Sequence, residues 1–562
     1  MATLAAAGLA GGLAGLASLT GCAIGQNSGA RDAAGTTGTT GTASGAPGTV
    51  AQALDGLLES HWSEADAEYG DSADLELEEG PVVIDRPGAY RLTGTLADGQ
   101  VTVEVEQTGL VQLILDGAHV TSEASSALDI ESADEVVIIL ATGSTNSLTD
   151  ATSYAEPDEE PDAALFSKAD LTIAGEGALT VTGRAGDAIA SKDGLVIAGG
   201  DITVNAADDA VRGRDYVRLV GGRLTVEAGG DGLKSTNDKD QGAGYVLLEG
   251  GQADITAGTD CVDAATAALV AAGAAELACG DDAIHADRSL VVDGGAVSVS
   301  RSFEGLEAPV VVVAGGELEI TASDDGMNAS ASESESESES ESEPESGAEP
   351  ESAADAENRG GLDGRGPGRG GGIGVQDGVE LEITGGTVTI HAGKDGIDSN
   401  GTGVISGGTV TIYAAANGMD GPFDVADSGP QIDGGTVVAY GLARGGTQIL
   451  SPQDASAQGW IAAVLAATAP SGEPVAVTDS AGEVIATLTP DSDVAALMYS
   501  DPGLADGDLY TVGVDGQAVE VTAGQPAAGA DGFGPDGGPR GNPGPGPGRG
   551  GSGGRADRSG QP

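Results

Sequence analysis

Acidic residues recur at one position of a repeating pattern, and they are the groups through which this chain could do chemistry. The pattern reads IAGGDITVNAADDAV, LVGGRLTVEAGGDGL, LEGGQADITAGTDCV, VDGGAVSVSRSFEGL, VAGGELEITASDDGM, ITGGTVTIHAGKDGI and ISGGTVTIYAAANGM. Alignment on the acidic corner gives Asp187, Asp209, Asp231, Asp260, Asp282, Glu304, Asp325, Asp395 and Asn417. Asp-Gly and Asn-Gly are ordinary turn residues, so one acid per corner needs only a turn to explain it. The doublets Asp208-Asp209, Asp281-Asp282 and Asp324-Asp325 supply a second acid where one would satisfy the turn. Carboxylates stacked at strand spacing repel unless solvent, turn amides or bridging divalent cations stabilise them. Oxygen donors without a His/Cys constellation point to calcium rather than zinc.

Three positions after each corner lies a changing column: Ala190, Arg212, Lys234, Asp263, His285, Glu307, Asn328, Asp398 and Asp420. It reads as a solvent-facing strip with a basic end, extended by Lys192 and Arg214. Nine of the chain's 23 basic residues fall between Lys168 and Lys239. Basic groups beside a carboxylate corner suit a uronic-acid polymer, cations and Arg forks together gripping its carboxylates. Pairing with the abundant acids of the chain itself is the competing reading.

These residues must be positioned by short strands. Corner-to-corner steps of 22, 22, 29, 22, 22, 21, 70 and 22 residues match one coil of a parallel β-helix, with two clear strands and a third short one. The expected class is all-β, a right-handed parallel β-helix solenoid with a small C-terminal β cap and disordered tails. Propeller blades need roughly twice that period, and the Leu-x-x-Leu-x-Leu frame is absent. Only 3% of the 562 residues are aromatic while 96 are glycine, which fits a thin repetitive core rather than several thick ones.

The expected organisation is a lipoprotein signal over 1–22, a disordered linker over 23–53 and an N-terminal cap over 54–81, helical near Leu54–Tyr69. The β-helix follows over 82–445, a C-terminal β cap over 446–524 and a disordered Gly/Pro/Arg tail over 525–562. A disordered insertion over about 329–376 carries Ser-Glu repeats from Ser332 to Glu343 and a Gly-Arg run. Ala2 to Leu19 is weakly apolar and ends in Leu19-Thr20-Gly21-Cys22, which resembles a bacterial lipobox. Cys22 would then carry lipid, placing the protein outside the cell on its membrane. Cys261 and Cys279 lie on neighbouring coils, four positions out of register, where a disulfide is possible across a tight corner but not across a straight face.

A formal charge of -66, from 23 basic and 89 acidic residues, argues against nucleic acid as a partner. No glycine-rich loop opens a helix after a strand, so no nucleotide site is expected. No nucleophile elbow occurs, and His61, His119 and His391 show no metal or triad spacing.

The ordered blocks GAYRLTGTLADGQ, LILDGAHVTS, NSLTD, AALFSKADLTIAGEGALTVTG, DAIASKDGLVIAGG, ADDAVRGRD and GDGLKSTND carry a further signal. Over roughly Pro81 to Gly524 the chain resembles the calcium-binding, carbohydrate-binding β-helix proteins of cellulolytic clostridia, which look like pectate lyases in fold. The resemblance implies a protein that binds Ca2+ and plant or wall polysaccharide, including cellulose-like and polygalacturonate chains, without established catalysis. Carried over, the implied calcium residues are Asp208, Asp209, Asp231, Asp260, Asp281, Asp282, Asp324 and Asp325. Lys192, Arg212, Arg214 and Lys234 are the candidate polymer contacts. Cys261 where the pattern prefers Gly, the Glu304 corner and the Ser-Glu insertion depart from the family. Two other readings compete: a calcium-dependent polysaccharide lyase with Arg212 or Lys234 as base, and a structural adhesin or wall spacer.

Overall fold

The computed structural model describes residues 67–78, 80–155, 160–331, 375–416, 420–425, 429–444, 449 and 451–527. The lipobox with Cys22, residues 54–66 of the expected cap, the Ser-Glu tract and residues 528–562 of the tail lie outside them. Among the described residues no helix is long and apolar enough to cross a membrane.

One coil shows how sequence becomes structure. Strand Gly194–Ile197 runs into the Gly199-Gly200 turn, strand Asp201–Ala206 follows, and after Asp208-Asp209 comes the short strand Val211–Gly213. Alternation aims Ile202 and Val204 inward while Thr203 and Asn205 face out. The next coil repeats this in parallel register, Ile202 against Leu224 and Val204 against Val226. Repetition yields three parallel ladders, each coil giving one strand to each ladder. The third ladder is a 13-stranded sheet from Val82–Ile84 to Phe423–Val425. Inward residues of all three ladders, mostly Val, Ile, Leu and Ala, join one continuous core, which explains how so few rings suffice.

The chain enters this arrangement at Ala73–Leu77, which pairs in parallel with Gly88–Leu96. At the other end, Thr436–Leu442 pairs antiparallel with Val494–Ser500, so parallel growth stops there. A four-stranded antiparallel sheet within Val475–Thr522 adds a second apolar cluster. The rings of His391, Tyr413 and Tyr440, one per successive coil, stack at 4.5 and 4.9 Å beside that cluster.

Register corrects one part of the repeat alignment. Asp398 pairs with Asp424, not Asp420, and Gly421 occupies the corner after Asp395 in place of Asn417. That coil takes 26 residues from Asp398 to Asp424 where the usual step is 22, so matching by a constant step slips within AAANGMDGPFDV. Asn417 itself lies outside the described residues.

The Gly-Gly turns are held by stacking as well as by dihedral angle. Gly408 has φ +80°, and a Cβ there would sit 2.7 Å from the Gly385 carbonyl oxygen of the preceding coil. Gly507, in a C-terminal turn, has φ +82° with nothing within 4 Å. Left-handed backbone costs an L-residue about 1–2 kcal/mol in both places, and overpacking adds roughly 1–3 kcal/mol at the first. Gly408→Ala should therefore lower the urea midpoint clearly more than Gly507→Ala; equal effects would show that the turns do not stack closely.

Candidate functional site

The corner acids form a hydrogen-bonded file. In each of seven steps one carboxylate oxygen accepts the backbone N–H of the next corner. The donor-acceptor distances are 3.2 Å from Asp209 to Asp187, 2.9 Å from Asp231 to Asp209 and 3.0 Å from Asp260 to Asp231. Asp282 donates to Asp260 at 2.8 Å, Glu304 to Asp282 at 3.2 Å, Asp395 to Asp325 at 2.9 Å and Gly421 to Asp395 at 2.7 Å. Each corner aspartate thus satisfies a turn amide with Oδ1, and Oδ2 remains for another partner.

The partner differs along the file. The outward column pairs in register as Ala190, Arg212, Lys234, Asp263, His285, Glu307, Asn328, Asp398 and Asp424. Each lies on a third-ladder strand, and from Arg212 onward these are half-buried, whereas Ala190 is fully buried against Phe166. Arg212, its side chain 14% exposed, reaches Asp187 at 2.6 Å and Asp162 at 2.7 Å. Lys234 contacts Asp231 closely, Asp263 at 3.3 Å and Asp209 at 3.7 Å.

All four basic residues expected as polymer contacts carry acidic partners. Lys192 pairs with Glu160 and Asp162, and Arg214 with Asp215 and Asp240, while Arg212 and Lys234 lie among the corner acids. The same geometry narrows the expected metal set. Asp209 and Asp231 share the Lys234 ammonium, and Asp208 is an exposed neighbour of that pair.

Beyond Lys234 the cations thin out. His285 bonds Asp263 at 3.2 Å, and that bond, ahead of the opposing effect of burial, pushes the imidazole up to about 9. Lys394 contacts Asp324 from an exposed position. Between them, carboxylates converge in overlapping groups whose candidate ligand atoms lie within 4.8 Å of one another. These are Asp260/Asp281/Asp282, Asp282/Glu304/Glu307, Glu304/Asp324/Asp325 and Asp325/Asp395/Asp398, with a mixed group of Asp260, Asp263 and His285 beside them. Asp260, Asp281, Asp282, Asp324 and Asp325 of the expected metal set all fall here. Glu304, Glu307, Asp395 and Asp398 were visible as corner and column members, but only register shows that they converge with the others.

The Cys261–Cys279 disulfide, with Cα atoms 5.5 Å apart, joins the corner beside Asp260 to the strand end two residues before Asp281. It bridges the tight-corner geometry of two neighbouring coils.

Oxygens within 4.8 Å of one another are close enough to share one Ca2+ ion with bonds of about 2.4 Å. Asn328 sits between Glu307 and Asp398 in register, donates to Glu304 at 2.9 Å and keeps a buried Oδ1 with no hydrogen-bond partner. An unpartnered amide oxygen beside converging carboxylates fits a hard, oxygen-seeking cation.

Without a cation these acids resist ionisation. Burial first, then neighbouring acids, raises Asp260 to about 7, Asp282 to about 9 and Asp395 to about 8, and burial raises Glu304 to about 8. An acid with a raised folded-state pKa holds more protons folded than unfolded, so its effect is to make stability fall as pH rises from about 4 through those values. His285 acts in the same direction. In chelator the melting temperature should drop steadily between pH 5 and about 9, and Asp282→Asn should flatten part of that slope. A flat or rising profile would contradict this electrostatic description.

The fold and site define a parallel β-solenoid with a carboxylate file along one corner. Residues 78–337 match the family model described as carbohydrate-binding domain-containing protein. A curated relative of the same description, from Acetivibrio thermocellus, is 41% identical over 135 residues, 24% of this chain and 47% of the relative. The chain thus spans about half the length of that relative. A solved chain described as the polysaccharide lyase-like protein from C. thermocellum, gadolinium derivative, is 30% identical over 41% of this chain and 96% of its own, with a TM-score of 0.37.

Proposed function

We propose that this protein is a calcium-dependent carbohydrate-binding protein of the cell surface, closed as a right-handed β-helix, lipidated at Cys22 and selective for acidic, polygalacturonate-like polysaccharide. The observation that carries it is the run of converging carboxylates from Asp260 to Asp398, where the exposed Lys394 contacts Asp324. The right-handed hand rests on the strong preference of parallel crossovers.

Asp260, Asp281, Asp282, Glu304, Glu307, Asp324, Asp325, Asp395 and Asp398 would hold the ions, with Asn328 Oδ1 as a neutral donor. Bound calcium supplies positive charge that can be shared between the protein's carboxylates and those of a polymer. The chain's own residues set the spacing, since each corner backbone is tied to the next. The Cys261–Cys279 bridge limits how far the Asp260 and Asp281 corners can separate.

The lyase reading loses the bases assigned to it. Arg212 is clamped by two aspartates, and the pKa of Lys234 is raised by Asp231 and its neighbours against the opposing effect of burial, so both stay protonated. A spacer without affinity for sugar remains as the reading the experiment separates.

Polygalacturonate should be retained by the full chain in calcium and released by chelator at a temperature where the fold persists. The double variant Asp282→Asn, Glu307→Gln should weaken retention about tenfold or more, while Arg218→Lys on another face should not. Retention indifferent to chelator would sink the bridging mechanism, and no retention in calcium would favour the spacer.

A further inference from the structure

Amid the converging carboxylates one corner departs from the others in its side chain. The residue before each corner acid is in turn Asp208, Gly230, Thr259, Asp281, Phe303, Asp324 and Lys394. Phe303 thus stands where the other coils place a polar residue or glycine, and it is 45% exposed. The other described phenylalanines, Phe166 and Phe423, are buried in full. Its rung lies between two acids, because the Phe303 N–H donates to the Asp281 carbonyl at 2.8 Å and the Phe303 carbonyl accepts from Asp324 at 2.9 Å. Glu304, the next residue, belongs to both the Asp282/Glu304/Glu307 and the Glu304/Asp324/Asp325 groups.

The strand that delivers Phe303 is itself irregular. Within Ala296–Ser302, Val299 pairs with Leu277 and Ile320, but Arg301 pairs with Ala278 and Ser302 with Ala322, so this strand holds one residue more than either neighbour. A bulge of this kind interrupts the alternation and re-aims a side chain. Ser300 and Arg301 are exposed in succession, and the Ser300 hydroxyl donates to the Leu277 carbonyl at 3.1 Å. Among the described residues Arg301 has no carboxylate partner, and its guanidinium meets the Ala278 carbonyl at 3.5 Å. That is a departure in a chain of 89 acidic and 23 basic residues, where Lys192, Arg212, Arg214 and Lys234 are all paired.

A lone exposed apolar residue is ordinary. Here the ring, the bulge and the unpaired cation coincide on one coil, beside the acids assigned to calcium. The corner does not need the ring, since Glu304 closes the turn by donating its N–H to Asp282. The C–H face of a pyranose is apolar and can cover an aromatic face, while a sugar carboxylate accepts a guanidinium fork. We propose that Phe303 and Arg301 form a sugar-contact subsite at the edge of the calcium run, Phe303 as the platform on which a uronate ring stacks and Arg301 as the partner of a polymer carboxylate. It rests on the reading of the protein as a calcium-dependent binder of acidic polysaccharide, and adds to it the residues that touch the sugar directly.

The test is calorimetric titration of the full chain with calcium alone, and with the galacturonate tetramer in saturating calcium. Phe303→Ala should weaken tetramer binding about tenfold or more, whereas Phe303→Trp should hold it within about threefold. Arg301→Gln should weaken it about fivefold, and Arg301→Lys less. Calcium affinity and melting temperature should keep their wild-type values in all four variants, because both side chains are exposed and neither bonds a corner acid. The Phe303→Trp variant also reports contact, since its emission should shift with tetramer in calcium and not with calcium alone. Wild-type affinity in Phe303→Ala, or unchanged emission at saturating tetramer, would overturn the platform and leave the calcium reading standing. Wild-type affinity in Arg301→Gln would overturn the role given to Arg301. No tetramer binding by the wild type in calcium would remove the acidic-polysaccharide reading, and this subsite with it.

Discussion

Parallel stacking of equivalent residues about one strand spacing apart is the constraint on which the rest of the structure depends. Whatever one coil places at a position, the next coil places almost directly beside it. For apolar residues this is favourable without further provision. Ile202, Leu224, Ala253 and Ala275 line up in one column and fill a narrow core by repetition. For glycine turns it demands that the column stay free of Cβ atoms, since each turn lies against the last. For acids it is unfavourable, because equal charges are brought into line at a distance where screening by water is incomplete.

The chain answers that repulsion in three ways within one corner. A backbone N–H is donated to one oxygen of every corner aspartate from Asp187 to Asp395, which gives each of those rungs a stabilising dipole. From Asp162 to Asp231 the second oxygen meets Arg212 or Lys234. From Asp260 to Asp398 it meets other acids, and burial pushes the pKa values of Asp260, Asp282, Glu304, Asp325 and Asp395 up. A structural role and a ligand-binding role are therefore not exclusive here. Oδ1 serves the turn, and Oδ2 determines whether a coil is neutral by itself or needs something from outside.

Much of this was legible in the residues. The Gly-Gly spacing and the alternating strands showed the coil, and the doublets showed that turns alone did not account for the acids. The all-β class and the parallel ladders follow from the same period. Which acids converge was not legible, because that depends on the direction in which the column residue three positions later points. Arg212 reads as a free cation until register sets it between Asp162 and Asp187. Asp162 lies outside the repeat altogether, in a loop whose length departs from the period. Asp424 was missed for the related reason that four extra residues break the constant step.

The position of the departures is informative in its own right. A perfect repeat would give every coil the same corner and hence a uniform edge. Here Thr152, Ser153, Tyr154 and Asp162 line a cavity at one end, and the Cys261–Cys279 bridge fastens the middle. Beyond the last acidic corner, antiparallel pairing at Thr436–Leu442 stops the ladder. Between these limits the outward column changes from cationic to anionic over a few coils, with Lys234 beside Asp263 as the junction. Because each coil advances the edge by only one strand spacing, a change of sign that needs several coils spans a distance comparable with a short oligosaccharide. An edge with such a gradient can distinguish the two ends of a ligand by charge, which a uniform acidic ladder could not do.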